Sequence, residues 1–192
     1  FDRSLNAAAG GFYQAGANRA KLFLDGQAIA NDDPRLPKDW YTTDLWTTYG
    51  LKFIDEARAA KKPFFLYLAH HAPHSPIEAK AEDVRYFEGK LRPGMRHRNA
   101  TYAAMVRSLD QGVGRVLDHL RARGLEDRTI VIFTSDNGGQ VNIDPPARAG
   151  DPVTRNAPLR SGKGSLYEGG IRVPLIVRWP GVTPRGAESA AP

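Results

Sequence analysis

The chain contains no cysteine among its 192 residues. This absence excludes disulfide bonds, thiolate metal sites and a cysteine nucleophile. The sequence also lacks any apolar run approaching the roughly 20 residues that a bilayer-spanning helix needs, so we expect no membrane span and no membrane partner. No secretory signal is visible, and the chain opens without methionine on FDRSLNAAAGG. We therefore expect a mature product or an excised piece of a longer protein.

Positive charge is in excess, with 27 Lys and Arg against 21 Asp and Glu, which gives a net charge of +6. This balance suits an anionic partner such as nucleic acid, an acidic membrane surface or a small anionic substrate, but it also fits a solvated arginine-rich surface. The basic stretch 85–98 contains Tyr86 and Phe87 without regular aromatic interleaving. We expect a solvated surface there and no nucleic-acid partner.

Glycine and proline, at 19 and 14 residues, indicate many loops rather than a helical bundle. Residues 1–20 and 80–98 are expected to be irregular. Residues 21–30 predict a short hairpin whose two-residue turn is Asp25-Gly26.

Two segments have the apolar spacing of helices. One is expected to be capped near Thr42 or Thr43, and its apolar residues recur at intervals of four. The other covers about 100–123, with Asn99 as its N-cap and Gly124 just beyond its C-terminus.

Two short apolar runs predict buried strands, 64–69 (FFLYLA) and 129–134 (TIVIFT), and a third strand is predicted within 172–181. The first two are separated by the long helix, which is the βαβ pattern. We therefore predict an α/β fold with a mostly parallel central sheet flanked by helices, in which 64–69 and 129–134 are parallel. The polar clusters 70–74 and 135–139 follow these strands and would emerge at one carboxyl edge, where α/β folds bind ligands.

Asp136 and Asn137 are the candidate metal ligands in the second cluster. Two adjacent oxygen donors suit Ca²⁺ or Mg²⁺, and the glycines that follow allow the sharp turn. An Asx turn is the alternative, since the same side chains can bond their own backbone. Two donors cannot fill a Ca²⁺ shell of roughly 6–8 oxygens, so further ligands would have to come from elsewhere.

The remaining candidates are histidines and a lysine. His70, His71 and His74 follow the first strand and could act as acid or base, donate to an oxyanion or bind metal; alternatively, backbone carbonyls satisfy them. Lys163 lies in the glycine-rich segment 160–170, which could wrap an oxyanion or be a solvated loop. The segment does not have the Walker A spacing.

Taken in order, four stretches resemble the sulfatase family of the alkaline phosphatase superfamily, most closely its bacterial arylsulfatase branch. They are 25–57, 63–79 with its HHAPH sequence, 109–139 with SDNGG, and 158–181 with GKGSLYEGG. The resemblance implies an alkaline phosphatase-like fold and a periplasmic or secreted sulfuric ester hydrolase.

The resemblance also implies roles for particular residues. Asp136 and Asn137 would be ligands of Ca²⁺, in preference to Mg²⁺. His74 would contact the sulfate ester and help the leaving group depart. Lys163 would contact a sulfate oxygen and stabilise developing charge.

The chain departs from the family pattern because it has no C-x-P-S-R or S-x-P-S-R motif, whose first residue becomes formylglycine. The segment 156–160 (NAPLR) has the Pro and Arg spacing, but with Asn156 in the nucleophile position and in the wrong family order. The early Asp-Asp metal pair, the G-K-W-H segment and the C-terminal subdomain are also missing.

We therefore expect residues 1–192 to be part of one sulfatase catalytic domain and inactive alone. Its partners would be a small sulfate ester and the missing remainder of that domain, where formylglycine is expected. The alternatives are a phosphate or phosphonate ester hydrolase of the same superfamily and a non-catalytic anion-binding module.

Overall fold

The computed structural model describes residues 3–8, 11–15, 20–141 and 153–189. The chain forms two compact units, Phe1–Val116 and Leu117–Pro192. In chain order the elements are β1 (Leu5–Ala8), β2 (Lys21–Leu24), β3 (Gln27–Ile29), α1 (Thr42–Ala59), α2 (Ala81–Glu88), α3 (Ala100–Ala122), β4 (Val131–Thr134), α4 (Glu168–Ile171) and β5 (Leu175–Arg178).

A three-stranded antiparallel sheet, in the order β1-β2-β3, opens the first unit. The predicted hairpin is confirmed: Asp25 and Gly26 both have positive φ, at 51° and 79°, as a two-residue type I′ turn requires. The expectation that 1–20 is irregular is wrong at β1, which pairs with β2 from Leu5↔Leu24 to Ala8↔Lys21. Its LNAA sequence has no β-branched residue to signal a strand; the free edge of β2 supplies the pairing.

The predicted helix α1 is confirmed and forms the centre of the first unit's core, but the predicted cap is wrong. The helix begins at Thr42, and its N-cap is Tyr41, which makes no side-chain capping bond. Leu45 and Ile54 on this helix are fully buried, and Leu45 packs in one cluster with Trp40 of the preceding loop. The Thr42 hydroxyl donates to the Phe12 carbonyl at 2.8 Å, which joins the start of α1 to the N-terminal region.

Helix α3 also confirms its prediction. The Asn99 side-chain oxygen accepts from the Tyr102 amide at 2.8 Å, and Gly124 beyond the helix has a φ of 65°. Within the first unit α3 approaches α1 closely at Gly112, where a Cβ atom would lie 2.6 Å from Thr47 Oγ1. A larger residue at position 112 would therefore force the Thr47 side chain to move.

The predicted parallel sheet is absent from the described residues. Segment 64–69 forms no assigned strand, although its residues alternate between half-buried and exposed with the period of two typical of a strand. Leu66 packs near Gly50 of α1, whereas Phe65 and Tyr67 on the other face are 75% and 73% exposed. The strand prediction for 64–69 is thus not met here.

In the second unit, β4 and β5 lie within the two other predicted strands. The prediction that 129–134 is buried is wrong, because one face of β4 is uncovered and Ile132 is 63% exposed. They pair antiparallel, from Val131↔Arg178 to Thr134↔Leu175. The parallel pairing predicted for 129–134 is therefore not observed among the described strands, because β4 is paired with β5 alone.

None of the helices in the described parts of the chain combines the length and apolar character needed to cross a membrane.

Helix α2 corrects the prediction of irregular structure over 80–98. Its Asp83 side chain is only 6% exposed and lies 3.1 Å from Arg107 Nε on α3 and 3.8 Å from Lys80 Nζ. This buried carboxylate joins the short helix to the long one. The charged sequence did not predict this helix, because α2 is stabilised by Arg107 of α3, far away in the sequence, rather than by an apolar stripe of its own.

Replacing Asp83 with alanine should destabilise the first unit by about 3–5 kcal/mol, because two cations would lose a buried counter-charge. Urea unfolding followed by tryptophan fluorescence would measure the change, since Trp40 and Trp46 are buried in this unit. The matched control is Asp118→Ala, whose exposed pair with Arg121 at 2.9 Å should contribute nothing measurable. Equal effects of the two substitutions would contradict the role of Asp83.

Candidate functional site

The turn that follows β4 carries the two predicted metal ligands. Ser135 Oγ donates to the Asn137 carbonyl at 2.8 Å, and Asn137 Nδ2 donates to the Gly138 carbonyl at 3.0 Å. This local bond uses the amide nitrogen and leaves Asn137 Oδ1 as an acceptor. The Asp136 side chain is exposed.

A second loop of the same unit, residues 160–170, lies against this turn. The Gly138 amide donates to the Gly170 carbonyl at 2.9 Å, and the Lys163 amide donates to the Gly139 carbonyl at 3.1 Å. A Cβ atom on Gly138 would overlap the Gly169 carbonyl, so the two backbones are in direct contact. The exposed Lys163 side chain therefore projects from a loop that is bonded to the Asp136–Asn137 turn.

Asn156 is a residue of this site that sequence reasoning did not select. Its Nδ2 donates to the carbonyls of Gly139, Ser161 and Gly169 at 2.7, 3.0 and 3.1 Å. The only sequence signal was its place in NAPLR, where the spacing invited comparison with a nucleophile motif. In the structure, the Asn156 amide instead donates hydrogen bonds to backbone carbonyls.

His74 lies in the first unit, in the loop predicted after 64–69. The loop turns where the His74 amide donates to the His71 carbonyl at 2.9 Å. His74 Nδ1 is 2.8 Å from the Ser75 carbonyl, which can only accept, so this contact requires a hydrogen on Nδ1. Nε2 is then the nitrogen that can serve a ligand. The side chain is exposed, and its ring centroid lies 5.0 Å from that of His71, which also contacts Phe12.

His70 differs from its two neighbours. Its ring nitrogens are buried, and neither has a hydrogen-bond partner among the described residues. Burial lowers the pKa of the imidazole from its ordinary 6.5 to about 4, against a smaller opposing effect of the Asp44 charge. His70 is therefore neutral at pH 7 and belongs to the packing of α1 and α3, where it lies near Gly112.

The donor set at Asp136–Asn137 fits part of a calcium shell. An exposed carboxylate and an amide oxygen are hard ligands of the kind that Ca²⁺ prefers. Across the described ranges, no group of three or more His, Asp or Glu side chains is placed to hold a metal ion. The pair would thus act with ligands from outside these residues.

Comparison with known proteins places the chain in a family. Residues 5–192 match the model of the Sulfatase family. Because the match covers nearly the whole chain, the protein belongs to the sulfatase family.

Individual relatives are similar over most of this chain but a small share of their own length. A sulfatase of Formosa agariphila is 40% identical over 150 residues, which are 74% of this chain and 25% of the relative. The N-acetylgalactosamine-6-sulfatase of Canis lupus familiaris is 37% identical over 147 residues, 77% of this chain and 25% of the relative. The chain thus spans about a quarter of the length of these proteins.

Solved structures with a similar fold also cover most of this chain. The crystal structure of Ps i-CgsB has a TM-score of 0.70 and 36% identity, over 86% of this chain and 32% of that chain. Its complex with k-i-k-neocarrahexaose has a TM-score of 0.68 and 36% identity, over 84% and 31%. The α/β, alkaline phosphatase-like class expected from the sequence is confirmed at this level.

The buried His70 should make the protein less stable in acid. Its folded pKa is depressed, so the unfolded state binds more protons between pH 6.5 and 4; the stability is present above pH 6.5 and is lost as the pH falls through this window. We expect this residue alone to lower the free energy of unfolding by about 3 kcal/mol between pH 7 and pH 4.

Urea unfolding at both pH values, on the parent and on His70→Leu, isolates that contribution, since the carboxylates titrate equally in both proteins. The exposed His97→Leu is the control and should keep the parent's pH dependence. A His70→Leu protein with the parent's full acid sensitivity would show that His70 is not the group responsible.

Proposed function

We propose that this chain is part of a sulfuric ester hydrolase and supplies the side of the active site that binds the sulfate group and assists the alcohol's departure. The complete catalytic domain would cleave a sulfate ester to an alcohol and sulfate. The supporting observation is that the Asp136–Asn137 turn is hydrogen bonded to the Lys163 loop, within a chain that matches the sulfatase family from residue 5 to 192.

Asp136 and Asn137 would hold Ca²⁺ through their side-chain oxygens. A bound cation there would supply positive charge to a sulfate ester and to the oxygens on which charge develops. The chain contributes two ligands, and the remainder of the domain would have to provide the rest.

Lys163 and His74 would act on the ester directly. The Lys163 ammonium would donate to a non-bridging sulfate oxygen and stabilise charge that grows as the S–O bond to the alcohol breaks. With hydrogens on both ring nitrogens, His74 would deliver the Nε2 proton to the departing alcohol oxygen and become neutral, while Nδ1–H stays on the Ser75 carbonyl. This requires His74 to share a cleft with Lys163 in the complete domain, which is part of the proposal.

The same domain would complete the sheet. We propose that segment 64–69 and β4 become parallel strands of one central sheet when the remaining sequence is present. The alternating burial of 64–69 supports this, as does the exposure of large apolar side chains on Phe65, Tyr67 and Ile132. Such side chains are normally covered in a sheet with helices on both faces.

A sulfated sugar is the substrate class we favour. One relative is named for N-acetylgalactosamine 6-sulfate, and one structural neighbour was solved with an oligosaccharide. Incubating the complete enzyme with sulfated saccharides and with an aryl sulfate, and measuring released sulfate, would test both the ester hydrolysis and the preference.

Changing Lys163 to alanine in the complete enzyme should lower turnover of a sulfate ester by about 10²–10³, the usual loss for one preorganised donor to developing charge. The matched control is Lys52→Ala. Lys52 is exposed on α1, where its ammonium lies 5.8 Å from the centre of the Tyr49 ring.

The comparison should use saturating substrate and equal amounts of folded protein. If Lys163→Ala keeps near-normal turnover, or Lys52→Ala loses as much, the assignment of the Lys163 loop is wrong.

The 192-residue chain alone should bind Ca²⁺ weakly and hydrolyse no sulfate ester, because two ligands leave most of the coordination shell to water. Calorimetric titration would measure the affinity, and Asp136→Ala should abolish the remaining heat. Asp127→Ala, at a 95% exposed carboxylate of the same unit, serves as the control and should bind like the parent. Tight binding, or binding that survives Asp136→Ala, would place the calcium ligands elsewhere.

A further inference from the structure

One side-chain amide holds together the two loops of the second unit. Asn156 Nδ2 contacts three backbone carbonyl oxygens, those of Gly139, Ser161 and Gly169, at 2.7, 3.0 and 3.1 Å. An amide NH₂ has two hydrogens, so the three acceptors share them, with one hydrogen bifurcated. The Gly139 oxygen also accepts from the Lys163 amide.

The three carbonyls belong to two different segments of the candidate site. Gly139 closes the turn that contains Asp136 and Asn137, whereas Ser161 and Gly169 are on either side of Lys163 in its loop. One residue therefore fixes the end of the turn and both sides of the lysine loop.

The surrounding backbone is packed against the amide too closely for substitution of the neighbouring glycines. A Cβ atom on Gly139 would lie 2.7 Å from Asn156 Oδ1, and one on Gly162 would lie 2.8 Å from Asn156 Nδ2. The chemistry of the side chain is equally restricted. A carboxylate of the same shape would present negative charge to three carbonyl oxygens, and alanine would leave them without this donor.

We propose that Asn156 is a positioning residue, which sets the Asp136–Asn137 turn against the Lys163 loop and so fixes where the cation ligands lie relative to the lysine. The roles of those ligands and of the lysine rest on the function proposed above. The position of the turn against the loop does not, and it can be measured separately. Asn156 itself touches backbone and would not contact substrate.

The test uses the complete enzyme with Asn156→Asp, which keeps the shape and removes the donor, and with Asn156→Ala. Residue-resolved hydrogen exchange would follow the Gly138 and Lys163 amides, which are bonded across the two loops. Calorimetry would follow Ca²⁺, and steady-state kinetics would separate kcat from KM. Asn99→Ala is the matched control, because it removes a structural amide hydrogen bond at the start of α3.

We expect both Asn156 variants to speed exchange at Gly138 and Lys163 by about ten-fold or more and to lower both Ca²⁺ affinity and kcat. Asn99→Ala should leave those two amides protected. The proposal is overturned if either Asn156 variant keeps the parent's protection at the two amides. It is also overturned if the parent shows no protection there, a result that needs no variant to fold.

The same experiment separates this proposal from the function on which it builds. If Asp136→Ala leaves Ca²⁺ binding and turnover unchanged, the metal assignment fails, whereas accelerated exchange in the Asn156 variants still supports the positioning role. If Asp136→Ala abolishes Ca²⁺ binding and the Asn156 variants keep their amide protection, the function stands and the positioning role fails.

Discussion

The direct contact of two backbones at Gly138 and Gly169 is the constraint on which the candidate site depends. A side chain on Gly138 would occupy the space of the Gly169 carbonyl, and the adjacent Gly138 amide is bonded to Gly170. No side chain separates the two backbones at this point, where main-chain hydrogen bonds join the turn after β4 to the lysine loop, and the Asn156 side-chain amide bonds both segments nearby. The backbone positions that carry the candidate ligands and the candidate lysine are thus joined through their main chains, although the charged groups themselves lie on exposed side chains.

The local parts of the fold were predictable because their signals lie within the elements themselves. Helices α1 and α3 have apolar stripes, Asn99 caps α3, and Asp25-Gly26 can adopt the positive φ angles that a tight hairpin needs. Each of these features depends on residues only a few positions apart. Segment β1 and helix α2 were missed because a neighbouring strand edge and a distant arginine stabilise them, and neither leaves a pattern in the local sequence.

The pairing of the predicted parallel sheet could not be predicted reliably from this chain, for a different reason. The apolar runs at 64–69 and 129–134 have strand character, but pairing depends on what lies beside them, and this chain spans about a quarter of the relatives it matches. Within the candidate site, the oxygen donors and the lysine were selected because their residue types suit an anion or cation site and because the family resemblance assigns roles to these positions. Asn156 was missed because its amide bonds only backbone carbonyls. Every residue has such a group, so no sequence motif marks the partners. His70 could be separated from His71 and His74 only once its burial was known.

The two-faced character of segment 64–69 also has a practical consequence. Phe65 and Tyr67 present aromatic rings to solvent, and the described structure pairs no strand with the main chain between them. An extended segment with an unpaired main chain and exposed apolar side chains is a template for pairing with another copy, as an edge strand is. The isolated 192-residue chain should therefore aggregate more readily as its concentration rises. Charged substitutions at these two aromatic positions should increase its solubility.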